Sequence, residues 1–366
     1  MVIKLNNNQK INYLEKLIIF LAILFKYLIT YGVSTNLLYV FLAIIIILVF
    51  VDLFNKKIYK DEIRNVIILG IITCYFIIFY SEQNFLISFL LALVCLRRKD
   101  EDFVRTFFYS SIICFTLTLL LNSVGILEQN NMIRILDGEN DLRYSLGFTH
   151  PNEVFLFFLP IVLSGFYLFS DKKLFYILVF GISTVLYNLT YCRTGFYIVM
   201  LFLFFVLIKK IFTKKSVKKI IPIFTVILTI LSIIIAIKFG SDINNNITKI
   251  LSGRPYYWNY YINNGTIFTL FGHNKVEGIY LDNFYMYMLV EIGFIGYIIY
   301  IYIYYISLKK LNFDYRCLII ITIFLLYGLF EANVIIGSIQ FLFALQLKSL
   351  IKKEEKIGAE RKKIIH

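Results

Sequence analysis

Three arginines, Arg143, Arg193 and Arg254, each stand close to the edge of an apolar block of the chain. A guanidinium presents a planar fork of donors that matches phosphate oxygens, and it stays charged at any relevant pH. At a membrane surface the phosphate to hand is a lipid head group or a lipid diphosphate. Groups that could take a proton lie on the same stretches: His150 in GFTHPN, His273 in FGHN, and Asp282 at the opening of a further apolar block. Histidine titrates near neutrality and suits a general base. An ionised Asp282 is a weaker base but a dependable hydrogen-bond acceptor.

Each of these residues also has a plain structural reading. Asp141 could pair with Arg143 and Asp242 with Arg254, and any of the arginines could snorkel to an interface. His150, Pro151 and Asn152 together are helix-start chemistry. Asp282 and Asn283 could cap the helix they precede. The run Tyr256, Tyr257, Trp258, Tyr260 and Tyr261 fits an interfacial aromatic belt, and its rings would equally pack against sugars. Arg193 and Arg254 taken together favour function, because ionisable groups at the ends of apolar blocks facing polar loops are functional candidates. On the functional side, Arg193, Arg254, Asp282 and His273 are the candidate catalytic residues. Arg143, His150, Asn152, Tyr257, Trp258 and Asn283 are the candidate substrate contacts.

The elements that must position these side chains are apolar helices. The 366 residues are 60% hydrophobic, and the mean hydropathy is +0.78, too apolar for a soluble fold. The apolar residues recur in blocks long enough to cross a bilayer, where every backbone polar group needs an internal partner and helix is the solution. Twelve spans are expected, with ten as the lower bound: 17–31, 37–54, 66–80, 85–96, 103–121, 153–169, 174–191, 196–208, 220–239, 284–307, 318–330 and 334–350. The whole chain, 1–366, reads as one polytopic all-α membrane domain. It has an outer loop at 122–152, a large outer loop at 239–283 that is the expected active site, and a basic tail at 351–366.

The net charge of +14 is distributed as topology signals. Most Lys and Arg fall in the two tails and in every second loop, which places both termini in the cytoplasm. No basic face is interleaved with aromatics on a soluble domain, so nucleic acid is not an expected partner. The five cysteines are scattered, without a disulfide framework or a metal spacing. No metal or other cofactor is expected.

Four motifs in order resemble the O-antigen ligase/polymerase superfamily, and within it the Wzy-type polysaccharide polymerases: GFTHPN before a span, YCRTGF between two spans, LSGRPYYW early in the large loop, and LDNFYMYMLVEIGFIG entering the next span. The resemblance runs from the middle of the chain to its C-terminal part. It implies a fold like the class C lipid-sugar transferases, in a bacterial plasma membrane. It implies that a growing glycan on undecaprenyl diphosphate is moved onto a new lipid-linked repeat unit on the outer face, building capsule or another surface polysaccharide. Flippase and chain-length-regulating proteins are the partners it implies. In that family outer-loop arginines hold the diphosphate, which here are Arg193 and Arg254. Ligase relatives carry a His directly before the Asn that opens the span after the large loop; Asp282 fills that slot here, which argues for polymerase over ligase. A diphosphate leaving group needs no strong acid, only cations that stabilise its charge and a weak base. A glycan ligase with another acceptor, and a transporter or flippase of lipid-linked sugars, remain the alternatives; the latter would want charges at the bilayer midplane.

Overall fold

The computed structural model describes residues 7–56, 58–80, 83–136, 139–213, 215–243, 245–264, 268–272, 281–310, 314–332 and 341–352. The first half of the chain supplies α1 (Asn7–Thr30), α2 (Thr35–Phe54), α3 (Lys60–Tyr80), α4 (Gln83–Val94) and α5 (Asp100–Ser123). A hairpin of β1 (Met132–Leu136) and β2 (Glu139–Arg143) follows, antiparallel, with Met132 opposite Arg143. Then come α6 (Pro151–Phe169), α7 (Lys173–Thr190), α8 (Arg193–Leu207), α9 (Lys209–Phe212) and α10 (Lys215–Phe239). The large loop carries α11 (Asn246–Ile250) and α12 (Arg254–Asn263), and the chain returns through α13 (Phe284–Val290), α14 (Gly293–Lys310), α15 (Tyr315–Tyr327) and α16 (Phe341–Ile351).

The architecture is helical, as the sequence predicts, with the small hairpin as an addition inside the 122–152 loop. Helices α2, α5, α6 and α7 are long and apolar enough to cross a membrane, and shorter apolar helices accompany them. Apolar side chains lie exposed along α2 (Ile44, Ile47, Phe50) and α7 (Ile177, Leu178, Val185). Faces of that kind would aggregate in water and are at home in hydrocarbon. They suggest a membrane-embedded protein. Helix α6 is the opposite case: residues Val154 to Phe166 are buried on every side, which makes it the central post of the bundle. It packs against α5, α7, α8 and α15.

The expected span at 284–307 is two helices. The chain breaks after α13 at Glu291 and Ile292, and α14 begins at Gly293 in a left-handed conformation, φ +77°. A Cβ on Gly293 would stand 2.2 Å from the Gly272 backbone nitrogen, so only glycine fits there. Segment 268–272 of the large loop docks into the break, where Phe294 and Ile295 donate backbone hydrogen bonds to the carbonyls of Thr269 and Leu270, at 2.9 and 3.2 Å. Non-helical backbone is tolerated among apolar helices only where protein satisfies it in this way.

The bundle has two polar ends. At one, ion pairs tie helices together: Lys56 meets Glu15 at 2.9 Å and Asp52 at 2.5 Å, Arg97 meets Glu62, and Lys348 meets Asp100 at 2.6 Å. At the other end stand Arg143, Arg193 and Arg254.

Candidate active site

The arginine end is assembled from helix termini. Helix α7 stops at Thr190, the chain reverses through Tyr191 in a left-handed conformation, and α8 starts at once with Arg193 as its first residue. Gly195 lets this start press against α6; a Cβ there would stand 2.2 Å from that of Phe155. Arg143, leaving β2, donates from Nε to the Thr190 carbonyl at 2.9 Å and from Nη2 to Asn152 Oδ1 at 2.7 Å. A cation on the last carbonyl of a helix satisfies an orphan acceptor and the negative end of the helix dipole. Arg143 therefore also locks the hairpin to α7.

Arg193 is placed against that rule. It sits at the positive end of α8, and its one side-chain contact among the described residues is a long approach of 3.5 Å to Ser252 Oγ. A cation at a helix N-terminus, with Arg143 and Arg254 close enough to act on the same groups, leaves a local excess of positive charge. Burial, and then Arg193 and Arg254, push the Arg143 guanidinium below its usual range, with Cys192 opposing them.

Arg254 opens α12 and is buried. It is ion-paired through Nε to Asp282, lies 3.5 Å from the Phe330 carbonyl and sits 5.8 Å from the centre of the Phe330 ring. Burial alone would lower its pKa, but Asp282 and Glu331 push it up. The partner is thus Asp282, not the nearby Asp242 that sequence proximity offers. The Asp282 side chain keeps 32% exposure, while protein lies close enough around it for burial to raise its pKa. Arg254 counters the rise, and so does the approaching Trp258 indole, whose N–H makes no well-formed hydrogen bond.

Glu331, at the end of the turn after α15, joins this group, although the motifs in the sequence do not single it out. Its Oε1 is buried without a hydrogen-bond partner. Burial drives its pKa up to about 8; Arg254 pulls it down, and Asp282 and Glu153 push it further up. An acid at the end of an apolar block was the available signal.

The remaining candidates divide. Asn283 is fully buried and fully committed: Oδ1 accepts the amides of Tyr285 and Met286, and Nδ2 donates to Ser232 Oγ and the Leu329 carbonyl. It is a structural cap with nothing left to offer a substrate. His150 is likewise the cap of α6, its Nδ1 accepting the Asn152 amide at 3.0 Å. That bond keeps the imidazole neutral, and burial, Arg143 and Arg254 lower its pKa. Asn152 is taken up by Arg143. On α12 the helical period separates the aromatics: Trp258 and Tyr261 are buried, and Tyr256, Tyr257 and Tyr260 face outward. Only Tyr257 and its outward neighbours are free to meet a ligand. His273 lies outside the described residues.

Backbone strain collects at the same place. Among the described residues, the non-glycine residues with left-handed φ are Leu146, Tyr191 and Ser252. They stand within three residues of Arg143, Arg193 and Arg254 respectively. Such conformations cost about 1–3 kcal/mol each, persist only where the surrounding structure holds them, and cluster at functional sites. Among the described residues no three His, Cys, Asp or Glu side chains gather as a metal-ligand set. The arrangement can hold an oxyanion on clustered guanidiniums and accept a proton on a carboxylate beside them. Comparison with protein-family models, with curated proteins and with solved structures finds no match to this chain.

Proposed function

We propose that the chain is a Wzy-type polysaccharide polymerase of about twelve spans, class C-like in fold. It would lie in a bacterial plasma membrane with both termini and the ion-paired end in the cytoplasm and the arginine end on the outer face. The substrate is an oligosaccharide on undecaprenyl diphosphate. Arg193 and Arg254, with Arg143 behind them, neutralise the diphosphate. A sugar hydroxyl of the incoming lipid-linked unit attacks the anomeric carbon of the growing glycan. The new C–O bond forms as the bond to the diphosphate breaks, undecaprenyl diphosphate departs, and the hydroxyl proton passes to a carboxylate.

The carboxylates have different tasks. Asp282 is occupied with Arg254 and fixes that guanidinium in place. Glu331 has an unbonded oxygen and a pKa near the working pH, which is where a general base is most effective. Glu331 therefore takes the proton, and Asp282 positions the cation. The outward tyrosines of α12 offer aromatic faces to the sugars.

One observation carries this reading: Arg193 is held at a helix N-terminus without a counter-ion among the described residues, beside two further arginines. Such a cluster asks for an anion of more than one charge. The test is polymer formation from purified lipid-linked repeat unit, at matched amounts of folded protein. Arg193→Ala and Arg254→Ala should each abolish long polymer. Wild-type chain lengths in both variants would remove the arginines, and with them the proposal.

A further inference from the structure

A groove of about 700 Å³ runs along the apolar surface between α5 and α7. The two helices both pack on α6 and hardly touch each other, so the gap between them stays open. Phe115, Leu119 and Asn122 form one wall; Gly181, Val185 and Leu189 form the other. Below its lower end the gap is closed by the rings of Phe108, Phe169 and Phe175, which meet edge-on and then tilted, with centroids 5.5 and 6.3 Å apart. Along α7 the groove extends from Ile177 to Leu189, about 18 Å at the rise of an α-helix. That is close to the depth of one leaflet of a hydrocarbon core about 30 Å thick.

The open end of the groove meets the arginine cluster. Leu189 is followed by Thr190, whose carbonyl holds Arg143 at 2.9 Å, and the Leu189 carbonyl accepts the Tyr144 amide at 3.0 Å. Leu146, three residues after Arg143 and held at φ 53°, lines the mouth. Leu146 and Gly147 form a tight turn there, closed by the Phe148 amide on the Ser145 carbonyl at 3.0 Å. Gly181 leaves the middle of the groove unfilled, since a Cβ on it would have no atom within 4 Å.

We propose that this groove seats the polyprenyl chain of the lipid whose diphosphate meets Arg143, Arg193 and Arg254. The inference rests on the reading of the arginines as a lipid-diphosphate site. A single groove suits a single-chain lipid, whereas a phospholipid would leave its second chain outside. Hydrocarbon contact along one leaflet fixes the depth of the diphosphate, and so sets it at the arginine end, beside Asp282 and Glu331.

The experiment uses the full chain in nanodiscs of phosphatidylglycerol and phosphatidylethanolamine. The probe is a polyprenyl diphosphate carrying a diazirine within its first few isoprene units. Crosslinks read by mass spectrometry should fall on 115–123 and 177–189, and Gly181→Trp should cut them at least tenfold while Gly181→Ala leaves them unchanged. Val185→Trp, on the same wall, replaces Gly181→Trp if that variant does not fold. Crosslinks outside these segments, or equal competition by a matched phosphatidylglycerol, would overturn the proposal. Labelling does not require turnover. Groove labelling in a protein that makes no polymer would leave this inference standing and sink the polymerase reading. Polymer made without groove labelling would do the reverse.

Discussion

The two polar ends of the bundle solve the same problem in opposite ways. At the basic end charges are buried and matched: Lys56 is almost inaccessible between Glu15 and Asp52, and Lys348 joins Asp100 and the Arg98 carbonyl. Those groups come from α1, α2, α4 to α5 and α16, so the pairs act as cross-ties. At the arginine end three guanidiniums meet Asp282 and a Glu331 that burial keeps largely protonated at neutral pH. The cations named at the first end, Lys56, Arg97 and Lys348, find their counter-ions within the chain. The other end keeps a surplus that an arriving anion would cancel. A count of cations therefore does not distinguish topology, stability and function; their partners do.

The largest effect should come from breaking the matched end. Lys56→Met leaves the buried Asp52 without its ion partner and Glu15 with only a longer approach to Arg98 at 3.8 Å, and losing one member of a buried pair costs about 3–5 kcal/mol. Thermal unfolding in detergent should show a marked loss of stability, with polymer formed per folded molecule unchanged. An unchanged melting temperature would mean that the two ends do not differ as described.

Next in size is removal of Arg254 from the unmatched end. Loss of one buried guanidinium that stabilises developing charge should cost about 2–4 kcal/mol in the transition state, or roughly 30- to 1000-fold in rate. Arg254→Lys should recover little, since an ammonium lacks the fork. Steady-state rates with purified lipid-linked repeat unit decide this, and full recovery by Lys would show that charge alone suffices.

The proposed proton acceptor, Glu331, gives a smaller, graded signature. Glu331 has its pKa raised to about 8, so it is protonated below that pH and a competent base above it. The rate should climb about tenfold per pH unit up to about 8 and then level off. Asp282 is one of the charges that raise Glu331, together with Glu153, so Asp282→Asn should move the bend to lower pH as well as loosen Arg254. Glu331→Gln should abolish the limb along with most of the activity. A pH profile unaltered in Glu331→Gln would assign the proton to another group.

Much of this was readable from the sequence, for reasons that also mark where reading fails. Apolar blocks name their helices because lipid forces intra-chain pairing of the backbone, and α2, α5, α6 and α7 appear within a few residues of their expected bounds. Arg143, Arg193 and Arg254 stood out because positive charge is scarce on that side of the pattern. The break before Gly293 was hidden: Glu291-Ile292-Gly293 interrupts an apolar run without proline, and its cause is a backbone contact with Gly272, far along the chain. The Asp282 partner was missed because Arg254 had a nearer acid in Asp242. Glu331 escaped notice because its importance comes from burial beside Arg254, which no local pattern records. The lysines of the basic end were read as topology signals alone, since Glu15, Lys56 and Lys348 meet only in three dimensions.

The smallest effect separates the ends most cleanly, because stability and activity should move in opposite directions. Arg193 stands at the N-terminus of α8, where the helix dipole opposes a cation, and no carboxylate offsets it among the described residues. Removing the charge should relieve that penalty and reduce repulsion with Arg143 and Arg254, worth about 0.3–1 kcal/mol at a helix terminus. Arg193→Gln keeps a side chain of similar reach that can still hydrogen-bond Ser252. Its unfolding temperature should rise slightly, while polymer formation falls sharply because the diphosphate has lost a counter-charge. Added inorganic diphosphate should stabilise the wild-type protein more than the variant, since a ligand that binds only the folded state raises its stability. A variant that is less stable than the wild type, or one stabilised equally by diphosphate, would show that Arg193 is part of the matched scaffold after all.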